Sequence, residues 1–271
     1  MKAIFFDIDG TIISDDGKRY IPQSTKDSIK KLKENGNLTF INTGRVYCNI
    51  NPMIKELGFD GYLCGCGTNI VLNGEDIFYK EPNRTRCIEI AKLLHNLRFE
   101  VLYEHKDGVF FDFSTATETR SLRWKKFFEY EHKDVTRDIT HRDFIFDKFI
   151  VWLNPNDNRQ ELVDFLKHDF EPILRCESTG EFFEVVPKGF SKATAIDIVA
   201  KRFNISSNDL YAIGDGENDI PMLKAVKNSI AIKGNSAIYR YVSYVTDTLY
   251  NDGLSKAMEH FNLISSAHTH A

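Results

Sequence analysis

The chain has 271 residues, of which 42% are hydrophobic and 13% aromatic, and a formal net charge of -4. That composition supports a substantial core and excludes a disordered chain. The acidic balance argues against a general nucleic-acid surface, and no run of about 18 apolar residues offers a membrane span.

Ile4 to Ile8 is apolar on both faces and predicts a buried parallel strand. Asp7 and Asp9 stand at its carboxyl end, where open α/β sheets bind ligands. Side chains two apart on a strand point the same way, so the two carboxylates are expected to project together. Like charges held together need a cation between them, or one takes up a proton. Gly10 then allows a sharp turn. The pair suits a hard cation such as Mg²⁺ and a nucleophilic carboxylate beside a second one for proton transfer. Taken alone, Asp-x-Asp-Gly is as readily an ordinary turn. An EF-hand is excluded, because the twelfth position counted from Asp7 is Lys18, not Glu.

After a polar loop from Ser14 to Tyr20, Pro22 opens a helix to Glu34, closed by Gly36. Leu38 to Asn42 predicts a second strand, ending in Thr43-Gly44-Arg45, and a helix is expected from there to Leu57. A hydroxyl at a strand end followed by Gly and a helix start makes a phosphate seat, although Thr43 is also an ordinary N-cap. Tyr62 to Cys64 is a third short strand. The scattered cysteines Cys48, Cys64, Cys66, Cys87 and Cys176 fit a reduced cytosolic protein, and no second Cys or His cluster completes a zinc site. Lys2 leads straight into the first strand, with the acids Asp7 and Asp9 close behind, which is not a secretory signal.

Near Phe78 the rhythm changes. A helix from Asn83 to Leu97 precedes two strands, Glu100 to Glu104 and Val109 to Phe113, around the turn Lys106-Asp107-Gly108. Next come a helix around Glu118 to Tyr130, a strand from Lys148 to Leu153 and a helix from Asn158 to Lys167. Strands near Ile173 to Glu177 and Phe182 to Val186 follow. This mixture reads as a separate α+β unit.

At Pro187 the α/β rhythm returns, with a helix from Phe190 to Phe203. Lys192 lies in its first turn, the unfavourable end for a cation, and so invites an anionic partner; Lys188 competes for the role. A strand from Leu210 to Ile213 runs into Gly214-Asp215-Gly216-Glu217-Asn218-Asp219, whose polar groups are expected to face one cleft. A helix from Ile220 to Ala225, a strand from Ser229 to Ile232 and a helix from Leu254 to Phe261 complete the pattern. The tail from Ser265, with His268 and His270, reads as frayed. The expected fold class is α/β: a Rossmann-like, three-layer parallel core of residues 1–78 and 187–271, interrupted by an α+β domain of residues 79–186.

In order, the motifs are Asp-x-Asp-Gly-Thr, Thr-Gly-Arg, Lys, and Gly-Asp-x-x-Asn-Asp. That order resembles the haloacid dehalogenase superfamily of phosphotransferases, and the insertion resembles its type II (C2B-like) cap. The run Glu184 to Lys192 and the run Gly214 to Leu223 are similar to the Cof-type sugar-phosphatase branch. The resemblance implies a cytoplasmic, Mg²⁺-dependent phosphatase. Its partner would be a small phosphorylated metabolite, foremost a sugar phosphate, and neither nucleic acid nor membrane; oligomeric state is left open. Asp7 would be the nucleophile that forms an aspartyl phosphate, and Asp9 the acid/base. Asp7, Asp9 through its backbone carbonyl, and Asp215 would hold Mg²⁺. Thr43, Gly44, Lys192 and Asn218 would bind the phosphoryl group, with Arg45 near the substrate. Asp219 would orient Lys192 or a metal-bound water, and Glu184 would support the site from behind. Cys66-Gly67-Thr68 stands where the family often has Asn-Gly-Ala, so a hydrogen bond from that Asn has no donor here. A phosphomutase or phosphotransferase, or a non-catalytic phosphosugar-binding protein, are the alternatives. The inserted domain is expected to be a mobile cap that joins the core through two chain crossings and selects the leaving group.

Overall fold

The computed structural model describes residues 1–116, 119–177 and 180–265. The chain opens with β1 (Ala3–Phe6), α1 (Gln23–Glu34), β2 (Leu38–Asn42), α2 (Pro52–Lys55), β3 (Gly61–Cys64), β4 (Asn69–Leu72) and β5 (Glu75–Tyr79). It continues through α3 (Arg84–Asn96), β6 (Glu100–His105), β7 (Gly108–Phe111), α4 (Thr119–Tyr130) and β8 (Lys148–Trp152). Then come α5 (Arg159–Leu166), β9 (Phe170–Glu177) and β10 (Gly180–Pro187). It closes with α6 (Lys192–Phe203), β11 (Leu210–Gly214), α7 (Ile220–Ala225), β12 (Asn228–Ala231), β13 (Tyr244–Val245) and α8 (Gly253–His260). Glu118, the expected start of α4, and the tail histidines His268 and His270 lie outside the described residues.

The chain divides into two compact units. The first comprises Met1–Gly44, Pro52–Phe78 and Ser191–Ala271; the second comprises Arg45–Asn51 and Tyr79–Phe190. The chain therefore crosses between them four times, after Gly44, Asn51, Phe78 and Phe190. The excursion Arg45–Asn51 has no counterpart in the sequence reading.

The sheet of the first unit runs β13-β12-β11-β1-β2-β3-β4-β5. Pairings from β13 through β3 are parallel, and β3–β4 is antiparallel. β1 is fully buried and lies between β2 and β11, although β11 follows it by some 200 residues in the chain. That placement makes its carboxyl end a switch point, where open parallel sheets bind ligands. Phe5, Phe40, Leu63 and Ala212 pack on one face against Ala195, Ile196 and Val199 of α6. Each buried side chain the size of Leu or Phe contributes about 1.5–3 kcal/mol. β4 and β5 are joined through Asn73-Gly74, both at positive φ, the two-residue turn that suits twisted strands.

The second unit has an antiparallel sheet ordered β7-β6-β8-β10-β9. Side chains alternate between its faces. Val101, Tyr103, Phe149, Val151 and Val185 face a core shared with Ile90 and Leu94 of α3 and Leu162 and Leu166 of α5. Leu102, Phe111, Trp152 and Phe182 pack with Trp124 and Phe128 of α4.

Asp147 is buried in this unit and accepts hydrogen bonds from Tyr79 Oη and the Lys106 N–H, both at 2.7 Å. Burial pushes its carboxyl up to about 7, although both hydrogen bonds pull the other way. An unfolded Asp ionises near pH 4, so the stability associated with this raised value is fully present below that pH. It is lost as pH rises through about 7. Asp147→Asn is expected to remove this segment of the stability–pH curve, so the variant should gain on the parent protein between about pH 5 and about pH 8. Denaturant unfolding across that range checks it; parallel curves would refute it.

Candidate active site

The first unit brings three sequence motifs to adjacent strand ends. Asp7 follows β1, Thr43 follows β2 and Asp215 follows β11. The ladders continue past the strands: the Asp7 N–H donates to Ile213 O at 3.0 Å, and the Thr43 N–H donates to Leu63 O at 2.9 Å. Asp7 is 4% exposed and Thr43 is 2% exposed, so both face the interior of the strand-end cleft rather than bulk water.

Lys192 is the first residue of α6. Ser191 caps that helix by accepting the Thr194 N–H, while Thr194 Oγ1 accepts the Ser191 N–H. This reciprocal cap fixes the helix entry. The buried amide of Asn42 donates to Lys192 O at 2.8 Å and so ties the end of β2 to the start of α6. From that fixed base the Lys192 ammonium donates to Asp7 Oδ1 and to Asp219 Oδ1, both at 2.6 Å. Lys192 is 2% exposed and Asp219 is 0% exposed. The anionic partners that a lysine in a first helical turn calls for are therefore these two carboxylates. Lys188, its competitor in the sequence, is exposed and donates to Lys167 O in the second unit.

Asp219 is fully committed. Its second oxygen, Oδ2, accepts the backbone N–H groups of Asp215 and Gly216, each at 3.0 Å. Gly214 leaves room for this, since a Cβ there would collide with the Asp219 carboxylate. Gly10, at φ +74°, plays the same part for Asp215, whose carboxylate occupies the space a Cβ would need. Thr11 Oγ1 donates to Asp215 Oδ1 at 3.2 Å. The roles of Asn42 and Thr11 are not marked by any motif; a polar residue closing an apolar strand is the one sequence signal for Asn42.

Asp7, Asp215 and Asp219 each place a carboxylate oxygen within 4.8 Å of the others. Burial pushes the Asp7 carboxyl well above the usual carboxylate range; Asp219, Asp215 and Asp9 push the same way and Lys192 opposes them. Burial, then Asp219, raises Asp215 to about 7. Burial pulls the Lys192 ammonium down, but Asp219 and Asp7 outweigh it and hold it above its ordinary value. Three clustered acids, Asp7, Asp215 and Asp219, share one buried ammonium. That imbalance, built from hard oxygen donors, fits a divalent cation such as Mg²⁺.

Other expected site residues are placed differently. Asp9 is exposed, and its carboxylate is outside the three-acid cluster, where Asp219 stands instead. Its segment turns back beyond Ile8, with Gly10 N–H donating to Ile13 O. Asn218 is exposed in a short 3₁₀ turn. No helix follows Gly44: the chain bends, makes a 3₁₀ turn at Tyr47–Asn49 and forms only the four-residue α2. Pro52 disfavours a helical Asn51 and restarts the helix as its first residue. The phosphate seat therefore has no helix dipole behind Thr43. Arg45 belongs to the second unit and donates to Asn49 O at 3.3 Å. Glu184 also lies there, paired with Lys148 at 2.5 Å and Arg175 at 3.3 Å.

A parallel α/β core with acids at adjacent strand ends, a lysine from a neighbouring helix and an inserted α+β unit defines a class of hydrolase. Residues 4–258 match the model of the haloacid dehalogenase-like hydrolases, and the chain belongs to that family. It is 25% identical over 264 residues to the 5-amino-6-(5-phospho-D-ribitylamino)uracil phosphatase YcsE of Bacillus subtilis, covering 97% of this chain and 96% of that protein. Among solved structures it is similar to the subclass IIB sugar phosphatase BT4131, with 25% identity and TM-score 0.80 over 97% of this chain and 100% of that one. It is also similar to BT1666 from Bacteroides thetaiotaomicron, with 26% identity and TM-score 0.80 over 97% of this chain and 96% of that one.

Lys192→Met would leave Asp7 and Asp219 buried without their counter-charge. Breaking a buried pair in this way costs about 3–5 kcal/mol. Loss of Lys192 removes the influence that opposes the raised pKa of Asp7, so stability is kept at low pH and lost as pH rises. The deficit measured by denaturant unfolding is expected to be larger at about pH 8 than at about pH 5. A deficit independent of pH would contradict the assignment of this triad as charged.

Proposed function

We propose that the chain is a Mg²⁺-dependent phosphatase that hydrolyses small phosphate monoesters through an aspartyl phosphate on Asp7. The observation that carries the reading is the buried Lys192 ammonium shared between Asp7 and Asp219 at the strand ends. Both Asp219 oxygens are occupied by Lys192 and the loop N–H groups. Asp7 and Asp215, with the backbone carbonyl of Asp9, are then the groups to hold Mg²⁺. When bound, the ion would neutralise charge on the transferring oxygens and keep Asp7 ionised.

Asp7 attacks the phosphorus atom, and the bond from phosphorus to the leaving oxygen breaks. A loose transition state spreads charge over three equatorial oxygens, so catalysis is positioning and positive charge. Lys192 supplies a fixed cation whose position is set by Asp219 and the α6 cap. Thr43 and the N–H groups of its loop are the further donors. Asp9 protonates the leaving oxygen. It then takes a proton from the water that opens the acyl phosphate, which releases inorganic phosphate and restores Asp7. Once it has given its proton to the leaving oxygen, Asp9 is in the ionised form that the second half needs, and the attacking water returns the proton.

Residues 79–186 are the segment proposed to select the leaving group, since the strand-end motifs grip only phosphate. A polyhydroxylated leaving group is favoured by the relatives, one named for a ribityl phosphate and another for sugar phosphates. A release-of-phosphate screen over sugar, polyol, nucleotide and small carboxylic phosphoesters tests the reading. Turnover with Mg²⁺ and its loss in EDTA are expected; undiminished turnover in excess chelator would overturn the metal assignment. Asp9→Asn is expected to lower kcat by about 10²–10⁴-fold, the usual contribution of a general acid or base. Wild-type kcat in that variant would remove Asp9 from proton transfer.

A further inference from the structure

Under the proposed function, Thr43 and Lys192 act on one phosphoryl group, yet one follows β2 and the other opens α6, far apart in the chain. Donors that share a phosphoryl group need a separation held to a fraction of an ångström, and a misplacement of about 1 Å costs about a hundredfold. Two links join these segments, and both lie within the first unit.

The first link is a side chain. Asn42 ends β2 and is fully buried. Its amide donates to Lys192 O at 2.8 Å and lies 3.6 Å from Met222 Sδ. Thr43 follows directly, so this bond ties the residue before the hydroxyl to the residue that carries the ammonium. A Leu is close to Asn in size and would suit the apolar strand end. What only the amide supplies is the bond to Lys192 O.

The second link is the buried turn between β3 and β4. Gly65, Cys66 and Gly67 have φ of +59°, +56° and +92° in succession. Cys66 carries a side chain in that left-handed region, and such strain persists where the surroundings over-determine the backbone. Thr68 Oγ1 donates to Gly65 O at 3.0 Å and so braces the turn. The Cys66 N–H donates to Thr43 O at 3.2 Å. Gly67 packs closely on α6: a Cβ there would lie 2.5 Å from Ser191 O and 3.2 Å from Thr194 Oγ1. Those two residues form the reciprocal cap at the entry of α6. Successive residues of one turn therefore meet the Thr43 carbonyl and the cap beside Lys192.

We propose that Asn42 and Gly67 are positioning residues that close a ring: Asn42 joins β2 to Lys192, and Gly67, through Cys66, joins the α6 cap back to Thr43. The ring sets the separation of the Thr43 hydroxyl and the Lys192 ammonium. The inference rests on the reading that both groups grip the transferring phosphoryl group. Asn42 and Gly67 act through Thr43 and Lys192, and not by touching substrate. Because every ester presents the same phosphoryl group, the ring acts equally on all leaving groups.

The test uses the full chain with Asn42→Leu, Gly67→Ala and the double variant, and Gly74→Ala as the control. Gly74 also has a positive φ, +83°, but nothing lies within 4 Å of the position a Cβ would take. Gly74→Ala therefore carries the backbone strain without the collision. Inorganic phosphate binding is measured by calorimetry with Mg²⁺, and kcat/KM is measured on two phosphoesters of unlike leaving group. All measurements are made well below each variant's unfolding midpoint. Each single variant is expected to bind phosphate about tenfold more weakly and to lose kcat/KM by a similar factor on both esters. Gly74→Ala is expected to lower the unfolding midpoint and to keep the parent's phosphate affinity and kcat/KM. The double variant is expected to lose less than the product of the two single losses, because a ring already opened has little left to lose. Parent-like phosphate affinity in folded Asn42→Leu and Gly67→Ala would overturn the proposal. So would a loss confined to one ester, an equal loss in Gly74→Ala, or losses that multiply in the double variant. Should Gly67→Ala not fold, Asn42→Leu alone decides by phosphate affinity and by the two esters. Phosphate binding that responds as expected in a protein that hydrolyses no ester would overturn the phosphatase reading and leave the ring standing. A protein that neither binds phosphate nor hydrolyses an ester would overturn both.

Discussion

The Lys192 ammonium, held between Asp7 and Asp219 with almost no access to water, is the interaction on which the site depends. Taking three charges from water costs several kcal/mol per ion before any attraction is counted. The surroundings offset that cost by giving each group further partners. Asp219 receives two backbone N–H groups from its own loop, and the base of Lys192 is pinned by a helix cap and by Asn42. Such a triad contributes orientation more than stability. It places one cation and the Asp7 oxygen at a fixed separation, the arrangement that the proposed phosphoryl transfer would use.

The surplus of acid over base explains why the site is electrostatically incomplete on its own. Asp7 and Asp215 are both pushed upward, first by burial and then by other acids. A divalent cation would relieve that stress, and the phosphoryl oxygens would then meet positive charge from the ion and from Lys192. The sheet order makes the arrangement inevitable once the chain folds, because β1 carries Asp7 between the strands that deliver Thr43 and Asp215.

Much of this was legible in the residues. A strand buried on both faces, a glycine after paired acids and a lysine in a first helical turn each have a physical signature. The parallel core and an inserted α+β segment with hairpin-like strands follow from hydrophobic rhythm; the pairing of that segment into one five-stranded sheet does not. What was not legible depended on long-range contacts. The spacing of Asp7 and Asp9 points to a strand that carries both, whereas the strand ends at Phe6 and the chain turns from Ile8 to Ile13. Asp219, expected to orient Lys192, accepts its ammonium and also joins the acid cluster, which only long-range contact reveals. The pairing of Glu184 with Lys148 and Arg175 likewise depends on strand pairing that no local pattern shows. The helix expected after Gly44 fails at Pro52, and the excursion that replaces it has no local pattern of its own. The hairpin through Asn73-Gly74 was legible and was passed over, since that dipeptide is a strong turn signal.

The central claim is that Asp7 becomes covalently phosphorylated. Rapid acid quench of the protein during turnover of a phosphoester with Mg²⁺, followed by peptide mass analysis, reads it directly. The account predicts one acid-stable, hydroxylamine-labile phosphoryl group on the peptide that carries Asp7, absent from Asp7→Asn, which should also lack turnover. Turnover at the parent rate in Asp7→Asn, or a phosphoryl group carried by a different residue, would contradict it.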